Sequence, residues 1–358
     1  DLIEVRRIAL PGALAQIAVA TSLGWACSYL WGWPLTSGIV FGLALSVAST
    51  VVLLRALEEH NLLQTTNGNI AIGWLIVEDI VMVLALVLIP ALAPDMQTND
   101  LKEVLFDVGL AIGKVVIFVV FMVVVGRRIL PWLLAAVARL QSREMFTVAV
   151  FAVAMGVAFA AATLFGVSLA LGAFFAGMMI RESDLSHEAA AKALALQDAF
   201  AVLFFVSVGM LFNPYVLIEH PLEVLAVVAI IVIGKSVAGS AIVLLFRYPL
   251  KTAMLVSAGL AQIGEFSFII ASLGISLKVV SDFLYPIVIA VSAVTTFTTP
   301  YMIRFSGPMY SWIEARLPKA FLDRMYLYER AMSGNSKENT LSLLWKIYGL
   351  SVLLNSVV

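Results

Sequence analysis

The sequence predicts an all-α integral membrane protein with about ten transmembrane helices. Three observations carry that prediction. The 358-residue chain is 62% hydrophobic and 13% charged, with mean hydropathy +1.03, whereas soluble domains run near ~45–50% apolar and ~25% charged. Its apolar residues fall in long runs punctuated by Gly and Pro, of the ~20-residue length that crosses a bilayer. Its Lys and Arg residues gather at alternate connections between those runs.

The apolar segments lie, in order, at 8–30, 36–56, 69–92, 105–130, 145–165, 168–181, 197–212, 222–246, 252–275 and 283–304. A polar, mixed-charge linker follows over 305–340, and a further hydrophobic segment, Leu341–Val358, closes the chain. That last stretch contains Lys346 and Asn355 and reads as an eleventh span or an interfacial helix. The first residue is Asp1 rather than Met and no signal peptide follows it, so an N-terminal portion is expected to precede this chain.

Orientation follows from the cations. Arg6, Arg7, Arg55, Arg127, Arg128, Arg139, Arg143, Arg181, Lys192, Arg247, Lys251 and Arg304 fall on one side, and Lys102 and Lys278 on the other. Asp1 and the tail after Arg304 are therefore expected on the cytoplasmic side of a cell inner membrane. A formal charge of −1 argues against a nucleic-acid partner. Cys27 stands alone and His60, His187 and His220 are scattered through polar connections, which argues against a disulfide, a redox pair or a His-based metal site.

Two segments read as broken. The second carries Ser46, Ser49 and Thr50 in LSVASTVVLL, and the ninth carries Gln262, Gly264, Glu265 and Ser267 in GLAQIGEFSFII. Polar and glycine residues at mid-membrane let a helix unwind where it lines a cavity. Both segments begin Gly-Leu-Ala, at Gly42 and Gly259, an offset of 217 that also sets Thr50 against Ser267 and Asp79 against Thr296. The same offset pairs segments one to three with eight to ten. An odd number of spans per repeat inverts the second copy, a common transporter design.

The candidate chemistry centres on GWLIVEDIVMVLALVLIP, an apolar run interrupted by Glu78 and Asp79. A carboxylate at mid-bilayer costs roughly 2.5–3.5 kcal/mol on insertion scales, so the default reading is an ion or proton site. Adjacent residues point ~100° apart on a helix, which assigns the two acids different roles. Asp79 is read as the cation and proton carrier, with Glu78 facing a neighbouring helix or a basic partner. Lys235, in IIVIGKSVAGS, is the charge partner, with Glu78 or Asp79 as its counter-ion in a gate or in a permanent salt bridge. Ser49 and Thr50 offer the oxygen ligands that suit a hard monovalent cation, so Asp79 and Thr50 are the predicted cation ligands. Gln262 and Glu265 are secondary candidates, Glu265 more as an acid at a half-helix N-terminus. Asp107 and Lys114 read as a local pair or interfacial residues, and Asp198 as a helix N-terminal acid. No Gly-x-Gly-x-x-Gly, Walker-type Gly-Lys-Ser/Thr, TVGYG or HExxH pattern occurs. Neither an enzyme nor a bound cofactor is expected, only transported K⁺ or Na⁺ and H⁺.

The runs SVASTVVLLRALEE, GWLIVEDIVMVLALVLIPAL, GAFFAGMMIRESDLSH, DAFAVLFFVSVGMLF and GLAQIGEFSFIIA resemble the Kef-type monovalent cation:proton antiporters, most of all their YbaL-like branch. The resemblance covers residues 1–304. It implies the inverted-repeat sodium/proton antiporter fold with crossed, discontinuous helices, and family helices ahead of this chain. It divides 1–304 into a core (1–92 and 222–304) and a dimer panel with linker helices (105–212). It implies a homodimer in the lipid bilayer, a nucleotide-binding regulatory domain outside this chain, and a functional acid at Asp79. Where many Kef-type members have Gln-Asp, this chain has Glu78-Asp79. The expected function is exchange of a monovalent cation, K⁺ ahead of Na⁺, for protons by elevator-type alternating access. The rival readings are a sodium-coupled solute symporter and a gated cation channel or sensor.

Overall fold

A run that must satisfy its own backbone in lipid has the helix as its open-chain solution, and among the described residues every regular element is helical. The computed structural model describes residues 2–63, 65–92, 101–183, 185–281 and 284–316. Residues 317–358, and with them most of the 305–340 linker and all of Leu341–Val358, lie outside the described residues, as do the side chains of Asp107 and Asp198.

The first repeat comprises α1 (Leu2–Leu30), α2 (Leu35–Ser46), α3 (Thr50–Glu59) and α4 (Thr66–Leu92). Next come α5 (Leu101–Phe121), α6 (Arg127–Ala138), α7 (Arg143–Ala160), α8 (Leu169–Arg181) and α9 (Ser186–Met210). The short α10 (Val216–Glu219) leads into the second repeat: α11 (Pro221–Ala229), α12 (Ser236–Leu245), α13 (Leu250–Leu260), α14 (Glu265–Ser276) and α15 (Leu284–Glu314). π-helical turns join α5 to α6 at Met122–Gly126 and α11 to α12 at Ile230–Lys235, and a third, Ala161–Phe165, ends α7.

Each of the ten predicted segments carries a helix or helix pair. Among the described residues eight spans are long and apolar enough to cross a membrane; the pair α13–α14, bent by 45° at its break, makes a ninth. The shorter apolar α8 occupies the remaining segment. Boundaries differ at two places. α9 begins at Ser186, well ahead of the predicted 197, because the polar stretch SHEAAAKALALQ is rich in helix formers. α15 runs on to Glu314 through Pro300 and Pro308, where loss of hydropathy suggested an end at 304.

Both interruptions lie where the sequence put them. α2 and α3 are separated at Val47–Ser49, and α13 and α14 at Ala261–Gly264. The repeat is visible in the elements themselves: α4 begins at Thr66 and α15 at Leu284, and α2 and α13 both start after a proline with matching backbone angles. Those prolines are Pro34 (φ −56°, ψ 152°) and Pro249 (φ −56°, ψ 147°).

α2, α4, α14 and α15 share a core of Phe41, Leu45, Met82, Phe268, Ile287 and Val291. A second cluster gathers Leu53, Leu57, Trp74, Val243 and Leu260 where α1, α3, α4, α12 and α13 meet. Lipid tails are as apolar as these side chains, so dispersion and close approach rather than water exclusion hold the helices together. α1 and α2 approach closely: a Cβ on Gly24 would lie 2.6 Å from the Cα of Gly42. A separate cluster, with Phe118, Met122, Leu134, Phe146 and Val150, knits α5–α8 and reaches α4 through Val83 and Val87. α9 leaves Phe200, Val202, Leu203, Val206 and Met210 exposed.

Candidate functional site

A broken helix in lipid leaves backbone groups that cost several kcal/mol each unless something meets them. The two breaks largely meet each other. The Gly264 amide donates to the Val47 carbonyl at 3.1 Å. The Gln262 side-chain amide donates to the Ser49 carbonyl at 3.3 Å and to the Gly259 carbonyl at 3.1 Å. A Cβ on Gly264 would lie 2.7 Å from the Ala48 carbonyl oxygen and 2.8 Å from the Ser49 Cα, so this crossing needs glycine. Ser49 caps α3, its hydroxyl accepting from the Val52 amide at 3.4 Å.

α4 delivers the two acids to this crossing in different settings. Glu78 is fully buried, and its Oε2 accepts from the Ala48 amide at 2.9 Å, inside the first break. Asp79 is half-buried, and its Oδ2 accepts from the Thr50 hydroxyl at 3.3 Å. The Oδ1 of Asp79 is buried without a hydrogen-bond partner, as are Glu78 Oε1, Gln262 Oε1, Glu265 Oε2 and Ser267 Oγ. Asp79, Thr50 and Glu265 are the half-buried members, while Glu78, Ser49, Gln262 and Lys235 are buried.

Lys235 ends the π-helical turn before α12 and is 1% exposed. Its ammonium donates to the Gln262 carbonyl at 3.0 Å. Its electrostatic partner is Glu78 rather than Asp79, and no ion pair within 4.0 Å forms with either acid. A cation at the carbonyl end of α13 offsets the negative end of that helix dipole, which is why the backbone competes with the acids for it. Glu265 opens α14, and it acts electrostatically on Asp79 from across the crossing. Among the described residues no group of three or more His, Cys, Asp or Glu side chains is arranged to hold a metal ion. Among the described residues, Asp79, Glu78, Gln262, Glu265 and Ser267 each present a buried oxygen without a hydrogen-bond partner at or beside the crossing.

The sequence reading missed two members of this network. Gln16 on α1 is fully buried and donates to the Ser46 carbonyl at 3.2 Å. Trp74 on α4 donates from its indole to Gln16 Oε1 at 3.4 Å. A lone Gln in LPGALAQIAVATSLGW looks like packing. Its only signal was that it sits on a helix of the repeat that contains a break.

Two repeats whose interrupted helices cross beside Glu78 and Asp79 match the inverted-repeat antiporter fold, in the multi-pass form the hydropathy predicts. The chain belongs to the sodium/hydrogen exchanger transmembrane family, whose sequence model matches residues 1–305. It is 59% identical over 280 residues to the candidate cation/proton antiporter YbaL of Escherichia coli (strain K12), covering 78% of this chain and 50% of that protein. It is 33% identical over 302 residues to K⁺ efflux antiporter 4 of Arabidopsis thaliana, covering 84% of this chain and 50% of the relative. A glutathione-regulated potassium-efflux system protein of Haemophilus influenzae is 29% identical over 254 residues, 71% of this chain and 40% of that protein. The chain thus spans about half the length of the curated relatives it matches. The resemblance to Kef-type antiporters holds, and these relatives are named as transporters rather than enzymes.

Proposed function

We propose that this chain forms the membrane part of a secondary active antiporter that exchanges a monovalent cation, K⁺ ahead of Na⁺, for protons. The observation that carries the proposal is Asp79: a half-buried carboxylate beside the crossing, one oxygen on the Thr50 hydroxyl and the other without a partner. A proton or a cation can neutralise it, but an empty, charged site in the barrier pays the full desolvation cost. Only an occupied site crosses, which couples the two fluxes. K⁺ stands ahead of Na⁺ because two relatives are named for potassium efflux.

Glu78, Lys235, Gln262 and Glu265 form the fixed frame around that carrier, and Ser49 and Thr50 set the mouth of α3. Alternating access then comes from an elevator-like shift of residues 1–92 and 222–304 against 105–212. The apolar cluster that knits α5–α8 takes only Val83 and Val87 among its buried members from outside 105–212, which supports that division. The exposed apolar face of α9 supports a homodimer contact or a lipid-facing panel. The basic side, with Asp1 and the tail after Arg304, is cytoplasmic, and the membrane is the cell inner membrane. A nucleotide-binding regulatory domain belongs, on this reading, to a part of the protein outside this chain.

The test is cation-induced dissipation of an imposed pH gradient in proteoliposomes, titrating K⁺ and Na⁺ separately with Asp79→Asn alongside. Gradient collapse by K⁺ in the wild type and none in the variant is expected. Proton-coupled cation flux retained by Asp79→Asn overturns the assignment of the carrier. Cation flux without opposing proton movement would turn the reading to a channel.

A further inference from the structure

The four helix ends at the crossing are each met by a different side chain. The N-terminus of α3 is met by Glu78 through the Ala48 amide, and that of α14 by its own first residue, Glu265. The carbonyl end of α13 and its break are met by Lys235 through Gln262 O. The carbonyl end of α2 is met by Gln16 through Ser46 O. Acids sit at the two positive ends and donors at the two negative ends, as helix dipoles favour. Asp79 is the one carboxylate at the crossing that no helix end claims.

Gln16 and Lys235 also correspond in the repeat. Gln16 lies on α1, the first helix of repeat one, and Lys235 lies where α11 passes into α12, the first helix of repeat two. Each is buried, and each reaches from that first helix to a carbonyl at the end of the interrupted helix that follows it. We infer that Gln16 is a positioning residue of the cation site: the uncharged counterpart of Lys235, fixing the α2 break so that Thr50 meets Asp79. This deepens the antiporter reading and rests on it for the role of Asp79.

The geometry gives the path. Gln16 Nε2 holds Ser46, the last residue of α2, and Gln16 Oε1 holds the Trp74 indole. Trp74 stands one turn before Glu78 on α4, and Glu78 in turn holds the Ala48 amide. The chain from Ser46 through Gln16, Trp74 and Glu78 back to Ala48 closes a ring around the break, one residue short of Thr50's neighbour Ser49. The lack of charge at position 16 matters as well. A lysine there would satisfy Ser46 O but would add a buried cation at the crossing and oppose cation binding.

Gln16→Met removes both hydrogen bonds at nearly constant volume, and Gln16→Lys restores the donor with a charge. Two readouts are taken on the purified chain: hydrogen–deuterium exchange at the Ala48 and Gly264 amides, and the half-maximal K⁺ concentration for pH-gradient dissipation. Gln16→Met should speed exchange at both amides and raise the half-maximal K⁺ concentration about fivefold, with the maximal rate little changed. Gln16→Lys should recover the amide protection yet keep the raised half-maximal concentration. Wild-type values of both readouts in Gln16→Met, or a lower maximal rate with an unchanged half-maximal concentration, would overturn the inference. If Gln16→Met does not fold, Gln16→Asn carries the same test, because its shorter side chain stays polar but loses the reach to Ser46 O and the Trp74 indole. A wild type without cation-driven proton flux defeats the antiporter reading separately, and the exchange measurement still decides whether Gln16 fixes the break.

Discussion

Adjacent side chains at the crossing sit in different settings, and the division of roles proposed for them is testable. Glu78 is fully buried on the Ala48 amide and faces Lys235 electrostatically. Glu78→Ala should therefore orphan a backbone amide and leave a buried cation without its counter-charge, destabilising the fold by about 2–4 kcal/mol. Asp79 is half-buried, holds only the Thr50 hydroxyl and has an unpartnered oxygen. Asp79→Asn should leave the unfolding temperature of the detergent-solubilised protein unchanged while exchange falls to background. Thermal unfolding and proteoliposome flux on both variants check this; a large loss of stability in Asp79→Asn with normal stability in Glu78→Ala would reverse the assignment. The acidic pair was legible in the sequence because two charges inside an apolar run have no packing explanation. The contact made by Lys235 was not legible, since sequence pairs charge with charge and does not see the carbonyl end of a helix as a rival anion. Gln16 was hidden for a related reason: a neutral amide in a membrane helix is common, and only its distance to Ser46 gives it a role.

Among the elements, the two breaks depend on each other most at Gly264. The two breaks were predicted from Ser49, Thr50, Gln262 and Gly264 standing in apolar runs, and that reasoning works because unwound backbone in lipid needs polar partners nearby. How closely the breaks approach one another depends on three-dimensional packing and left no trace in either run alone. A Cβ at position 264 would lie 2.7 Å from the Ala48 carbonyl oxygen. Gly264→Ala should force the crossing open, cost about 1–3 kcal/mol and lower exchange sharply. Gly177 on α8, which has open space around it, provides the control: Gly177→Ala should change neither stability nor flux. Equal effects of the two substitutions would mean that helix propensity, not the close approach, governs the response. The π-helical turns belong to the same scale and were invisible in the sequence, because one extra residue per turn has no compositional mark. The turn at Ile230–Lys235 nonetheless ends on the lysine that reaches Gln262, in keeping with the tendency of such turns to occur at functional positions.

At the scale of the molecule, the question is whether the repeats move as a body against α5–α9. Between α3 and α9 lies an open groove of about 390 Å³ lined by Val51, Arg55, Ala201, Val202, Phe205 and Val206. Its walls include the exposed Val202 and Val206, unlike the interior of either cluster, where side chains interdigitate. Within the repeats, by contrast, the Ser37 hydroxyl donates to the Val279 carbonyl at 2.5 Å and ties α2 to the chain after α14. A rigid-body shift must change the first relation and preserve the second. With Cys27→Ala as background, bridging Val51→Cys and Val202→Cys with a cleavable bifunctional thiol reagent should therefore bring exchange to background and release it again on cleavage. A disulfide between Ser37→Cys and Val279→Cys should leave exchange intact, since it joins parts that travel together. If both cross-links are tolerated, the cation crosses by local rearrangement at the two breaks and no larger motion is needed. If only the second blocks, the moving boundary runs through the repeats themselves, and α2 must slide past α14 with Asp79 changing sides between them.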